Sequence, residues 1–346
     1  MGSRQPRLLS YSEIQTALTC WAQWDFKYGG RLAGSTLRRK ETAARLVEGT
    51  AWGAAVAAWH THGGELFAAW YAHEALNAAI AESAQKAAEV GFPVPVEDQV
   101  DMGLYLGAML DHYAMTAEPL PNFGRIEAEI VVGIPSRGNS KRSSTRYRFQ
   151  AFLDGFSDDD GDWLVEFKLR GRLTDVNLML RQPQPKLYAW AYHRDTGRMP
   201  SGVYVEERLN AVPKPAALTE KGRKVSHKKD QMTTPELYAD LCHEHGEMPK
   251  LEVMEHLRAR SWQQRVPLSY RPSEIDAAGQ DLVSAAKLIR DLDSGVLTPI
   301  RNAQRANCNF CRFSEICSEP TDSLYVESLF ERTVPKRLRE PKETAA

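Results

Sequence analysis

No run of 18 apolar residues occurs in the 346-residue chain, and the stretch from Met1 to Ser10 lacks the apolar segment of a secretory leader. The sequence therefore predicts no helical membrane span and a cytoplasmic setting. An excess of one charge is missing as well. Forty-four basic residues face 45 acidic ones, a formal net charge of −1, which excludes a protein that coats nucleic acid by bulk charge. Cysteine is scarce and odd in number, at five; this does not suggest a disulfide framework in a reducing compartment, and metal ligation is the better reading. There is no Walker motif to drive unwinding and no internal repeat.

What is present is ordinary globular material, 42% hydrophobic and 26% charged, enough to bury a sizeable core. Leu8 to Tyr28 reads as a helix capped by Ser10 or Ser12, with Glu13 in its first turn. Thr42 to His60, Phe67 to Val90 and Val100 to Thr116 are helical in composition, and Pro119, Pro121 and Gly124 end that pattern. The texture then changes. Ile126 to Ile134, Arg146 to Phe156 and Trp163 to Leu169 read as three strands, followed by a helix from Gln184 to Thr196 and a fourth strand from Gly202 to Leu209. Pro213 to Thr234 reads as an exposed, mobile basic connector. Pro235 to His245, Glu252 to Arg260 and Pro272 to Leu297 are helical again. The expected organisation is a helical region over 1–124, a core over 125–212, a second helical region over 213–333 and a flexible tail over 334–346, together forming one compact unit.

Two groups of residues carry chemistry. Asp154 ends the second strand, in Phe152-Leu153-Asp154-Gly155-Phe156, and Glu166-Phe167-Lys168 follows after one hairpin. Glu166 and Lys168 lie two apart, so on a strand they share a face. Carboxylates on adjacent strands can hold one divalent cation, with a lysine beside them to orient water and offset phosphate charge. Gln184 and Tyr188 stand one turn apart on the next helix. Asp158, Asp159, Asp160 and Asp162 read as a solvated hairpin tip. The second group is Cys308-x2-Cys311-x5-Cys317, three soft ligands within ten residues, for which Cys20 is the natural fourth; zinc and an iron–sulfur cluster both fit. Cys242 has no fitting partner set and reads as a helix residue.

Asp154, Glu166-x-Lys168 and Gln184-x3-Tyr188, in the order helix, three strands, helix, strand, resemble the PD-(D/E)xK nuclease superfamily and its RecB-like branch. The resemblance implies an α/β, restriction-endonuclease-like core with a central mixed sheet and helical additions at both ends. It implies Mg2+ or Mn2+ on Asp154 and Glu166, with the Phe167 carbonyl as a further ligand, a catalytic Lys168, and DNA placed by Gln184 and Tyr188. RecB-like enzymes carry an early Gly-x3-His ligand. Here the equivalent stretch, Gly49-Thr50-Ala51-Trp52-Gly53, has glycine in the histidine's place, and His60, two turns on, is the candidate substitute. The cysteine pattern is similar to the iron–sulfur nucleases of the AddB type and the CRISPR-associated RecB-like exonucleases, which favours a [4Fe–4S] cluster over zinc.

The same resemblance turns two basic stretches into candidate DNA contacts: Arg137, Lys141, Arg142 and Arg146, expected near the catalytic edge, and Lys224 and Lys228 after the fourth strand. The expected function is metal-dependent DNA exonuclease activity in recombination, repair or phage DNA metabolism. The expected partners are DNA and a recombination, single-strand-annealing or CRISPR-adaptation protein, with no membrane and with oligomers allowed. The rivals are a CRISPR-adaptation trimming nuclease that acts with partners and a DNA-binding or assembly module with a decayed site.

Overall fold

The computed structural model describes residues 6–39, 43–65, 67–89, 93–124, 128–137, 142–158, 161–219, 222, 224–309 and 311–335. The chain opens with a short strand, β1 (Arg7–Ser10), where the sequence pattern predicted helix. Two helices follow, α1 (Tyr11–Thr19) and α2 (Trp21–Trp24), and a π-helical turn (Asp25–Gly29) leads to β2 (Thr36–Arg39). Three long helices come next, α3 (Ala43–Thr61), α4 (Ala68–Glu89) and α5 (Val96–Thr116). The central strands are β3 (Phe123–Gly124), β4 (Ala128–Pro135), β5 (Ser143–Leu153), β6 (Gly155–Asp158) and β7 (Asp162–Arg170). After them run α6 (Val176–Arg181), α7 (Pro183–Thr196), β8 (Gly202–Leu209), α8 (Pro235–Glu244), α9 (Leu251–Arg258), β9 (Gln263–Leu268) and α10 (Pro272–Ser294). The chain closes with α11 (Arg305–Cys308), α12 (Leu324–Leu329) and β10 (Phe330–Thr333).

The second predicted strand is divided at Asp154. Before the break, β5 lies between β4 (antiparallel) and β1 (parallel). After it, β6 joins a different sheet, in the order β3-β6-β7-β8-β9. β6 and β7 are antiparallel, whereas β7 and β8 run parallel. Asp154 therefore marks a fork, the point at which the two sheets separate and the second half of β7 loses its neighbour on that side.

Alternation along β7 sends its residues to two different cores. Leu164 packs into a core with α7 and α10. Val165 and Phe167 pack into a second core with α3, α4 and α5. Helices α7 and α10 pack closely because position 279 is glycine: a Cβ there would lie 2.2 Å from Trp190 Nε1. A third, smaller core joins the ends of the chain, with Phe26 and Leu37 against Phe313, Ile316 and Phe330, under the antiparallel pair β2–β10.

The expected mobile connector is corrected. A bridge between Leu218 and Val225 folds it back on itself, and Val225 is buried with Tyr238, Cys242, Val253 and Leu257 in a core of its own. An apolar anchor inside a charged stretch accounts for the difference. Cys242 lies in α8 as the sequence reading has it.

Candidate active site

The fork determines the site's geometry. The backbone N–H of Asp154 donates to the Val165 carbonyl at 3.2 Å, its last ladder bond. The carboxylate then takes over: Asp154 Oδ2 accepts from the Phe167 N–H at 2.6 Å, in place of the strand neighbour that has turned away. Asp154 is thereby held beside Glu166.

Glu166 is 3% exposed. Its Oε1 accepts from Gln184 Nε2 at 2.9 Å and pairs with Lys168 Nζ, while Oε2 is buried with no hydrogen-bond partner in the described structure. Burial raises the Glu166 carboxyl above its ordinary pKa, against the opposing pull of Lys168 and Arg170. Gln184, in the first turn of α7, donates from the same nitrogen to the Tyr188 hydroxyl at 2.9 Å. Tyr188 stays a neutral phenol, its pKa raised by burial and then by Glu166. The five predicted residues Asp154, Glu166, Lys168, Gln184 and Tyr188 thus meet. A buried carboxylate oxygen without a donor, next to a second carboxylate, suits a hard cation. Asp154 and Glu166 are the carboxylates that could hold one.

Three residues at this site were not anticipated. Tyr11, at the start of α1, donates to Gln15 at 3.2 Å, and its pKa is raised by burial and by the Glu166 charge. Arg170 shares the Lys168 face of β7 and bonds Glu207 at 2.8 Å. Glu207, fully buried, also accepts from the backbone and hydroxyl of Thr174 and from Gln264, which fixes the turn after β7. Arg170 was legible, two residues beyond Lys168; nothing local to Tyr11 or Glu207 marked them.

The sequence model of the PD-(D/E)XK nuclease superfamily matches residues 8–318. The chain belongs to the PD-(D/E)XK nuclease superfamily. Membership implies a nuclease and points to metal-dependent activity, since the superfamily's nucleases typically use Mg2+ or Mn2+. No curated protein matches the chain. Among solved structures, the crystal structure of SSO0001 is similar over 70% of this chain and 80% of that one, at 12% identity and a TM-score of 0.29.

The nuclease does not bring His60 to its carboxylates. The ring lies on the opposite face of the sheet, stacked on Phe167 with centroids 5.4 Å apart, and is 1% exposed. His60 Nδ1 accepts from the Leu120 N–H at 3.1 Å, and Nε2 is 2.9 Å from the Tyr113 hydroxyl, which donates to Glu206. Burial lowers its pKa, so it is a neutral core histidine with both nitrogens in use. The ligand expectation at His60 is corrected on that ground.

The cysteines behave otherwise. Cys20 stands between α1 and α2, where its sulfur accepts from the Asn302 N–H at 3.4 Å; Cys308 Sγ is 3.9 Å from the Asn302 carbonyl. The Cys311 thiol is raised by burial and by Cys20, Cys317 and Cys308 together, against a bond from the Phe313 backbone. All five cysteines are free of disulfides. Four thiols therefore gather where the chain's ends meet. Among the described residues no group of three or more His, Cys, Asp or Glu side chains is set to hold a single metal ion.

The basic stretches part company. Strand β5 runs from Ser143 toward Asp154, so the β4–β5 turn carrying Arg137 and Arg142 lies at its far end, on the order of 30 Å from the carboxylates. Arg146 sits near that end too, and Lys141 lies outside the described residues. The expectation that this stretch borders the catalytic edge is corrected by strand direction. Lys224 and Lys228 belong to the arm that leaves the C-terminal end of β8, whose last residue, Leu209, pairs with Arg170 just beyond Lys168. Among the described residues no helix is long and apolar enough to cross a membrane.

Proposed function

We propose that the chain is a Mg2+- or Mn2+-dependent DNA exonuclease of the RecB-like type. One observation carries the reading: Glu166 is buried with one oxygen unbonded, beside Asp154 and Lys168. A divalent cation bound there would supply the Lewis acid for water activation and leaving-group stabilisation. Lys168 holds a positive charge beside the scissile phosphate and orients the attacking water. Gln184 fixes the Glu166 and Tyr188 side chains together. Tyr188, accepting from Gln184, keeps its own proton for a bond to the DNA backbone.

The four thiols are read as the ligands of a [4Fe–4S] cluster. Zinc needs four sulfurs about 2.3 Å from one point, whereas a four-iron cluster takes each thiolate on a different iron and tolerates wider spacing. The likeness of the Cys20 and Cys308-x2-Cys311-x5-Cys317 pattern to iron–sulfur nucleases is what supports the cluster. Iron and acid-labile sulfide assays on anaerobically purified protein test this, with stoichiometric zinc as the result against it. Recombination, repair or phage DNA metabolism is the proposed setting.

The nuclease test uses end-labelled single- and double-stranded DNA with either metal, beside Asp154→Ala and Lys168→Ala. Stepwise loss of label in the wild type alone supports the exonuclease and gives its polarity. Equal activity in all three overturns the site. Binding without cleavage favours the second reading, a DNA-binding module with a decayed site. Gly53 in the early ligand position and the engagement of His60 on the other face of the sheet support that alternative.

A further inference from the structure

A surface helix needs one apolar stripe to join a core; α5 has two. Its inner stripe, Met102, Leu106, Met109 and Leu110, is buried against α3 and α4. Its outer stripe, Val96, Val100 and Leu104, repeats every four residues and is 70, 55 and 70% exposed. Beside it, between α4 and α5, runs a groove of about 610 Å3 floored by Ile80 and Gly103. The His73–Asp111 hydrogen bond, 2.7 Å, closes one end. The helices approach closely there: a Cβ on Gly107 would stand 3.3 Å from the His73 ring. A contiguous apolar stripe beside a groove is what soluble proteins keep for a partner.

Charge says which kind. Residues 68–116 carry Glu74, Glu82, Glu89, Glu97, Asp98, Asp101 and Asp111 against Lys86 alone, in a chain whose net charge is −1. Lys86 is itself paired with Glu82. Glu97, Asp98 and Asp101 are exposed in the first two turns of α5. Such a face repels DNA phosphates, and a second copy of it would set acid against acid.

We propose that this groove docks an amphipathic helix of a partner protein, its apolar stripe on Val96, Val100 and Leu104 and its flanking Lys and Arg on the acidic rim. Val96 to Ala108 spans roughly 18 Å of helix axis, room for about three turns. Recognition is of the helix-in-groove kind, with hydrophobic anchors at i, i+4 and i+8. The inference is independent of the exonuclease reading, because none of the groove's lining residues belongs to the acidic site.

The test is anisotropy of a labelled 18-residue Leu/Lys amphipathic helix titrated with the full-length protein, beside a Leu/Glu helix of the same pattern. The Leu/Lys helix is expected to bind wild type, with affinity reduced at least tenfold in Leu104→Asp and in Val100→Asp. Exposed sites tolerate both changes, and unaltered circular dichroism and cleavage of DNA would show the fold intact. In the triple variant Glu97→Lys, Asp98→Lys, Asp101→Lys, preference should pass to the Leu/Glu helix. No binding by wild type, equal binding of both helices, or unchanged binding in the Asp variants would overturn the proposal. So would sedimentation showing a wild-type dimer that Leu104→Asp converts to monomer, since the occupant would then be a second copy.

Discussion

Glu166 and Glu206 stand on adjacent parallel strands, 3% and 5% exposed, yet they face opposite ways and are treated oppositely. Glu206 is enclosed: it pairs with Arg265 at 2.6 Å and accepts from Tyr113, behind which His60 is fixed by Leu120. Burial alone would raise its pKa, but His60, Arg265 and Tyr113 bring it below the ordinary carboxylate value. Glu166 is left with an unbonded oxygen, and burial prevails over Lys168 and Arg170 to raise it. A carboxylate with every bond met is there for stability. One left incomplete at the same depth costs free energy, and that cost marks a place reserved for something else.

The comparison can be broken from either side. Lys168→Ala is expected to lower single-turnover cleavage by about 10²–10⁴-fold while urea midpoints stay near wild type. Glu206→Ala should do the reverse: about 1–3 kcal/mol of stability lost in urea titration, because the buried Tyr113 hydroxyl loses its acceptor, with cleavage per folded molecule retained. Saturating Mn2+ should raise the melting temperature of the wild type, by about 2.7 kcal/mol of stabilisation at a hundredfold excess over Kd; in Glu166→Gln that shift should vanish.

Smaller effects sharpen the Glu206 side. Burial and then Arg208 lower the His112 pKa to about 4, and burial lowers that of His60. A histidine whose folded pKa lies below its unfolded value binds more protons when unfolded. Stability from both is therefore full above about pH 6.5 and lost as pH falls below it, for His112 as pH falls toward about 4. Urea midpoints between pH 7 and 5 should decline in the wild type and decline less in His112→Asn. The smallest change is expected from Tyr11→Phe, a two- to fourfold fall in cleavage with no more than about 1 kcal/mol of stability lost along with the hydroxyl's bond to Gln15.

Much of this architecture was legible. Gly202–Leu209 was predicted at its observed bounds, and α3, α4, α7 and α8 fell within a few residues, because their periodicity is long and unbroken. The acidic site was legible through the resemblance of Asp154, Glu166-x-Lys168 and Gln184-x3-Tyr188 to the superfamily's motifs. What escaped depends on distant pairing. β1 reads as the start of a helix until Arg7–Ser10 is seen beside Tyr147–Gln150. The break at Asp154 is a matter of which sheet each half joins, and no local pattern encodes that. His60 misled because helical spacing reports which face a residue occupies, not what the face packs against. The β4–β5 turn misled because strand direction, not the presence of arginine, decides which end of the sheet it occupies.

The meeting of the two ends has a consequence for how the protein is made. Cys20 and the Asn302 N–H that binds its sulfur are 282 residues apart, so Cys20 leaves the ribosome long before Cys308, Cys311 and Cys317 exist. Until then Phe26 and Leu37 have no Phe313 or Phe330 to bury against, and β2 is an unpaired edge. The core that joins Phe26 and Leu37 to Phe313, Ile316 and Phe330 is thus the last to close. A chain cut short before Asn302 would hold its whole acidic site but leave Cys20 without the N–H that binds its sulfur and the Phe26–Leu37 face open to water.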